Sequence, residues 1–227
     1  MAFSLAPWRQ AALLTSPVML GYVPLGIAFG VVCVQMGYPW WVAPLMSVAV
    51  YSGAGQFLLL SLLAAQASLT EIAVASFLLG SRHLFYGLSL LERFSGAGKR
   101  KPYLIYALTD ETYSLLTSHP DAEQAAMAFR VSLLNQLWWL TGSVLGALLG
   151  SALPFDSAGM EFALTALFIV LTIEMMRSVR QARPFVVGLL CAGAAIYYLP
   201  AQHVLLAAIG GACLVLLADY ARQRRAP

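Results

Sequence analysis

Eight long apolar runs, separated by short polar connections, organise the chain. They cover residues 13–34, 40–65, 72–91, 103–116, 131–151, 162–176, 185–199 and 203–217. None shows the ten-residue apolar/polar alternation of a membrane β-strand. Lipid cannot satisfy free backbone N–H and C=O groups, so runs of this kind fold as helices. The pattern predicts an all-α polytopic transmembrane helix bundle of about seven to eight segments. Residues 1–227 then form a single transmembrane domain, with no soluble domain.

Two runs depart from the simple pattern. The first contains Gly21, Pro24, Gly26 and Gly30, and the fourth is short and carries Thr109, Asp110, Glu111 and Thr112 at its centre. Both resemble discontinuous or re-entrant helices, whose free backbone groups line a cavity. Runs one to three and four to six can be read as a three-plus-three repeat, each unit opening with an irregular helix. No residue-level self-similarity accompanies that reading.

Composition sharpens the class. Sixty per cent of residues are hydrophobic and 10% charged, with a mean hydropathy of +0.78. A soluble domain carries about 25% charged residues, so an ordinary cytosolic enzyme, a nucleic-acid-binding domain and a disordered regulator are excluded. The net charge of +3 is concentrated at 93–101, 177–183 and 222–225. Each cluster flanks an apolar run, as cytoplasmic ends do. The tail then lies inside, giving a multi-pass protein of the bacterial inner membrane with a cytoplasmic C-terminus. The cluster at 93–101 conflicts with eight full spans, because it falls outside if run 103–116 crosses; a re-entrant run returns it to the cytoplasm. Cys33, Cys191 and Cys213 lie in apolar runs without metal-ligand spacing and read as packing residues. The N-terminal stretch has no cleavage site and reads as retained. No cofactor or metal is expected.

Ionisable residues at membrane depth cost roughly 2.5–3.5 kcal/mol on insertion scales and mark function. Arg82 and His83 in the third run and Asp110 and Glu111 in the fourth are such residues. On a helix Arg82 shares a face with Tyr86, while Glu111 points about 100° from Asp110. One carboxylate can therefore face Arg82 and the other look elsewhere, an arrangement suited to proton coupling at Asp110, Glu111 or His83. The bland alternative is an Arg82–carboxylate pair that only locks two helices. Gly53 and Gly55 allow close approach beside the Gln56 amide, and Asn135 adds a polar group in the fifth run. Trp138 and Trp139 read as interfacial anchors. Gly142, Gly146 and Gly150 form a small-residue face for close helix contact, within the protein or on a partner.

Five motifs in order resemble the AzlC/YgaZ family of large subunits of branched-chain amino-acid exporters. They are Pro24-Leu25-Gly26-Ile27-Ala28-Phe29-Gly30, Ser47, Gly53-Ala54-Gly55-Gln56-Phe57, Arg82-His83-Leu84-Phe85-Tyr86 and Thr109-Asp110-Glu111-Thr112-Tyr113. Gly80 stands where the family often has Asn two residues before the motif arginine. The resemblance implies a two-component exporter of leucine, isoleucine, valine or similar amino acids. Its partner would be a small hydrophobic AzlD/YgaH-type subunit and its energy source the proton-motive force. The candidate substrate site comprises Gly21, Pro24, Gly26, Phe29, Gly53, Gln56, Phe57, Arg82, Tyr86 and Asn135. Arg82 or free amides near Gly21–Gly26 would meet the carboxylate, Asp110, Glu111 or Gln56 the ammonium, and Phe29, Phe57 and Tyr86 the aliphatic side chain. The competing readings are a carrier of another small polar metabolite, a non-transporting scaffold using the Gly142 face, and an intramembrane enzyme built on Ser47 or Ser52 with His83 or His203. Fluorophosphonate labelling of Ser52 would single out the last. Tolerance of charge-neutral replacements at Arg82 and Asp110 would single out the scaffold.

Overall fold

The structure is a computed structural model that describes residues 6–119, 125–152, 182–199 and 201–225, with isolated positions 169, 172, 173 and 176. The regular elements among the described residues are all helical. They are α1 (Ala6–Gln35), α2 (Val42–Ala49), α3 (Gly53–Ala64), α4 (Leu69–Leu90), α5 (Lys101–Tyr106), α6 (Asp110–Ser118), α7 (Ala125–Ala152), α8 (Arg183–Tyr198) and α9 (Ala201–Arg225), with a 3-10 segment at Ser95–Arg100. The apolar run at 162–176 lies almost wholly outside the described residues. The chain groups into two compact units, one drawn from 1–60 and 80–160, the other from 61–79 and 161–227.

In the second unit α8 and α9 pack with Cys191 against Gly211. Arg183 Nη2 meets Asp219 Oδ1 at 2.7 Å. Cys33 is fully buried, whereas Cys213 is exposed.

The first unit is built on α1 and α7. At 30 and 28 residues, both exceed the roughly 20 residues that cross a hydrocarbon core. Of the described helices, α1 alone is long and apolar enough by composition to cross a bilayer unaided. The two helices run parallel. Trp8 lies by Arg130, Thr15 by Trp138, Gly26 by Gly142, and Val31 by Gly150. A Cβ on Gly26 would sit 2.8 Å from Trp139 O, and one on Gly30 or Gly146 would run into the facing backbone. The small-residue face read from Gly142, Gly146 and Gly150 is thus filled from within the chain.

This packing corrects the expectation of a break in the first run. Helix α1 continues through Pro17 and Pro24. A proline removes one N–H, which membrane helices tolerate, and Gly26 and Gly30 lie on α7 rather than at a loosened segment. The breaks occur in the second and fourth runs. Residues 47 and 56 would lie about 13 Å apart along a continuous helix, yet Gln56 Nε2 donates to Ser47 Oγ at 3.2 Å. Run 40–65, expected to span, therefore folds back at 50–52 into an α2–α3 hairpin. Similarly, Leu104 and Leu116 would lie about 18 Å apart on one helix but share a buried cluster with Ala11, Leu90, Phe94 and Met127. Run 103–116 likewise folds back into an α5–α6 hairpin.

The hairpins enter from opposite ends. The α5–α6 cluster includes Ala11 and Met127, near the starts of α1 and α7. The α2–α3 hairpin packs farther along, with Ser47 on Ser143 and Phe57 on Phe29. The tips meet: the Tyr51 and Tyr106 rings are 6.3 Å apart, and Tyr106 Oη donates to Val48 O. A long helix followed by a hairpin thus occurs twice, as α1 with α2–α3 and α4 with α5–α6, the hairpins having opposite sense. The fourth run is irregular, as expected at the opening of the second three-segment unit, whereas in the first unit the break falls in the second run and not the first. The 93–101 stretch and Arg130 share an end. There the Arg100 guanidinium lies 4.8 Å over Phe129, and that of Arg130 5.8 Å over Trp8.

Candidate functional site

The hairpin tips carry two hydrogen-bond systems that meet on Tyr22 and Trp139. Each of these residues lies near the middle of its long helix, which sets the cluster at mid-depth. In the first system, Thr109 has extended backbone (φ −96, ψ 172) and caps α6, its Oγ1 accepting from Thr112 N at 3.2 Å. Tyr22 Oη donates to Glu111 Oε2 at 2.6 Å and lies 2.7 Å from Thr109 Oγ1. Asn135 Nδ2 donates to Thr112 Oγ1 at 3.0 Å.

The second system anchors α3. Trp139 Nε1 donates to Gln56 Oε1 at 2.7 Å. Ser47 Oγ, which accepts from Gln56, lies 2.7 Å from Ser143 Oγ. The Trp139 indole packs edge-on to Tyr22 with centroids 5.5 Å apart, and 6.3 Å from Phe29. Gly53 makes room for it, since a Cβ there would lie 3.1 Å from the ring. Ser47, Gln56, Thr112, Asn135 and Ser143 are fully buried. Buried polar groups at this depth are normally paired, yet Tyr51 Oη and Asn135 Oδ1 have no hydrogen-bond partner.

Arg82 and Asp110 form a separate group. Arg82 Nη1 lies 3.0 Å from Asp110 Oδ2, joining α4 to the first turn of α6. Tyr86 stacks on Tyr113 with centroids 4.4 Å apart, and His83 meets Tyr86 edge-on. His83 Nδ1 lies 3.3 Å from Gly80 O, one turn back on its own helix.

Of the residues singled out in the sequence, Phe29, Gly53, Gln56, Phe57, Glu111 and Asn135 gather at the tips. Arg82, His83, Tyr86 and Asp110 gather between α4 and α6. Gly26 faces α7, while Gly21 and Pro24 lie on the exposed side of α1. Tyr22, Tyr51 and Ser143 join the cluster without having been singled out. Trp139 is buried at mid-depth rather than anchored at an interface. A signal for Tyr22 exists, because it stands four residues before Gly26 and so shares the face that meets α7. Among the described residues no group of three His, Cys, Asp or Glu side chains could hold a metal.

Residues 17–153 match the family described as AzlC protein. A membrane protein of Helicobacter pylori (strain 26695) is 40% identical over 198 residues, covering 86% of this chain and 87% of its own. The branched-chain amino acid transport protein AzlC of Bacillus subtilis is 33% identical over 187 residues, 81% of this chain and 74% of its own. The inner membrane protein YgaZ of Escherichia coli K12 is 29% identical over 163 residues, 67% and 66% of the two chains. No solved structure matches the chain. The chain is a membrane protein of the AzlC family, a homologue of a branched-chain amino-acid transport protein and not an enzyme.

Proposed function

We propose that this chain is the large subunit of a two-component secondary transporter. It exports branched-chain or similar apolar amino acids across the bacterial cytoplasmic membrane, driven by the proton-motive force, with a small AzlD-type subunit as partner. The observation that carries the reading is the pair of buried, unpartnered polar atoms at the hairpin tips, the donor Tyr51 Oη and the acceptor Asn135 Oδ1. A zwitterion supplies the complementary set. Its carboxylate takes the Tyr51 hydroxyl and the first amides of α3, which lack acceptors within their helix. Its ammonium takes Asn135 Oδ1, and Phe29, Phe57 and Trp139 wall the aliphatic side chain. Such a wall separates neighbouring side chains by only about 1–3 kcal/mol per methylene, so several aliphatic amino acids share the carrier. Arg82, bound to Asp110, stands outside the binding set and holds α4 to α6.

The test follows free amino acid released from cells loaded with leucine, isoleucine, valine or methionine dipeptides. Release should require this chain and the small subunit together, and fall at least tenfold in Asn135→Leu with both chains present in the membrane. Unchanged release for all four dipeptides would sink the substrate assignment and favour another small polar metabolite.

A further inference from the structure

We infer that Glu111 is the carboxylate that carries the coupling proton, and that the Ser114–Ser118 face of α6 is its water path to the basic end of the protein. This rests on the exporter reading above. Residues 111, 114 and 118 follow the helical i, i+3, i+7 spacing and share one face. All three are exposed, and Thr117 beside them is exposed too, whereas Thr112 and Leu116 point inward. Yet Glu111 stands at mid-depth, because its Oε2 lies 2.6 Å from Tyr22 Oη near the centre of α1. Lipid does not accept an exposed carboxylate there. Water reaching it along the serines satisfies that face.

The two adjacent carboxylates are thereby given different work. Asp110 is compensated by Arg82 at 3.0 Å. Glu111 is held by a neutral phenol and remains open to solvent. The titratable groups facing this end of α6 are Tyr22 from α1, Tyr51 from the α2–α3 tip, Arg82, His83 and Tyr86 from α4, and Tyr106 from α5; α7 presents the neutral Asn135. The path leads from Glu111 toward Ser118, the end that carries Arg93, Lys99, Arg100, Lys101 and Arg130. By the excess of Lys and Arg this end is cytoplasmic. A proton passes from water to the Glu111 carboxylate and back, with no other bond changed. Protonation removes a negative charge beside the tips and weakens the hold on a substrate ammonium, so proton and amino acid bind in opposition.

The test uses the chain with its small subunit in proteoliposomes containing a pH-sensitive dye. Wild type should show leucine-dependent proton flux. Glu111→Gln should reduce it at least tenfold, whereas the charge-neutral pair Arg82→Gln/Asp110→Asn should keep it. After removal of the native cysteines, an impermeant thiol reagent applied from the basic end should label Ser114→Cys and Ser118→Cys but not Leu84→Cys or Leu88→Cys. Flux retained in Glu111→Gln would overturn the proposal, as would flux lost in the charge-neutral pair despite leucine exchange, or serine positions that label only after denaturation. A wild type that neither exchanges leucine nor moves protons with it would instead refute the exporter reading.

Discussion

Gly146 of α7 lies so close to the backbone of Ile27 in α1 that no Cβ fits between them. The obstacle is main chain on a long helix, so rotamer changes cannot relieve it. Gly146→Ala should push α1 and α7 apart and disturb Tyr22 and Trp139 at the tips. Overpacking costs typically about 1–3 kcal/mol, and the rigid contact places this site at the upper end. Gly188, with nothing within 4 Å of its hypothetical Cβ, is the control. Gly188→Ala should be neutral or gain up to about 1 kcal/mol of helix propensity. Thermal unfolding of the two detergent-solubilised variants, read by tryptophan fluorescence, checks both.

The Trp139–Gln56 bond ties α7 to the first turn of α3. Trp139→Phe keeps most of the apolar wall but leaves Gln56 Oε1 buried without its donor. That loss should cost about 1–3 kcal/mol. Gln56→Leu should lose less than the sum of separate contacts once Trp139 is already Phe, because both changes break the same bond. A double-mutant cycle on unfolding midpoints measures the coupling, and an additive result would show that the bond contributes nothing.

Much of this architecture was legible in the residues. Apolar runs indicated helices, and Gly142, Gly146 and Gly150 indicated a close helix contact, because small residues at four-residue spacing have few other uses in lipid. The angular offset between Asp110 and Glu111 follows from helix geometry, and the structure turns the first to Arg82 and the second to Tyr22. The position of the first break was not legible. Gly21 and Pro24 are strong local signals for a kink, but the tertiary contact of Gly26 and Gly30 with α7 overrides them. The true break at 50–52 has no proline, and its hairpin is held by Ser47, Gln56, Trp139 and Ser143, partners distant in sequence. Tyr51 and Tyr22 gained their places only through that folding back.

Thr109 does two things at the α6 tip: it caps the helix and lies against Tyr22. Thr109→Ser keeps the oxygen and should be nearly silent. Thr109→Val keeps the shape, loses the oxygen and should cost about 1 kcal/mol for the cap, with a further loss from the Tyr22 contact. If both variants melt alike, the cap is not formed.

The Arg82–Asp110 pair is best judged by comparing single and double neutralisation. The side chains are only partly buried, at 31% and 34% relative exposure, so the attraction itself contributes modestly. An uncompensated charge facing apolar surroundings is the larger penalty. Arg82→Gln alone leaves Asp110 without its cation, and Asp110→Asn alone strands the guanidinium, whose Nε is already buried without a partner. Each single variant should therefore lower the amount of inserted protein more than the double variant does. Quantitative immunoblots of the membrane fraction would report this, with midpoints of the purified protein alongside. A double variant worse than either single would mean that the two residues contribute independently, and that holding α4 to α6 is not their shared role.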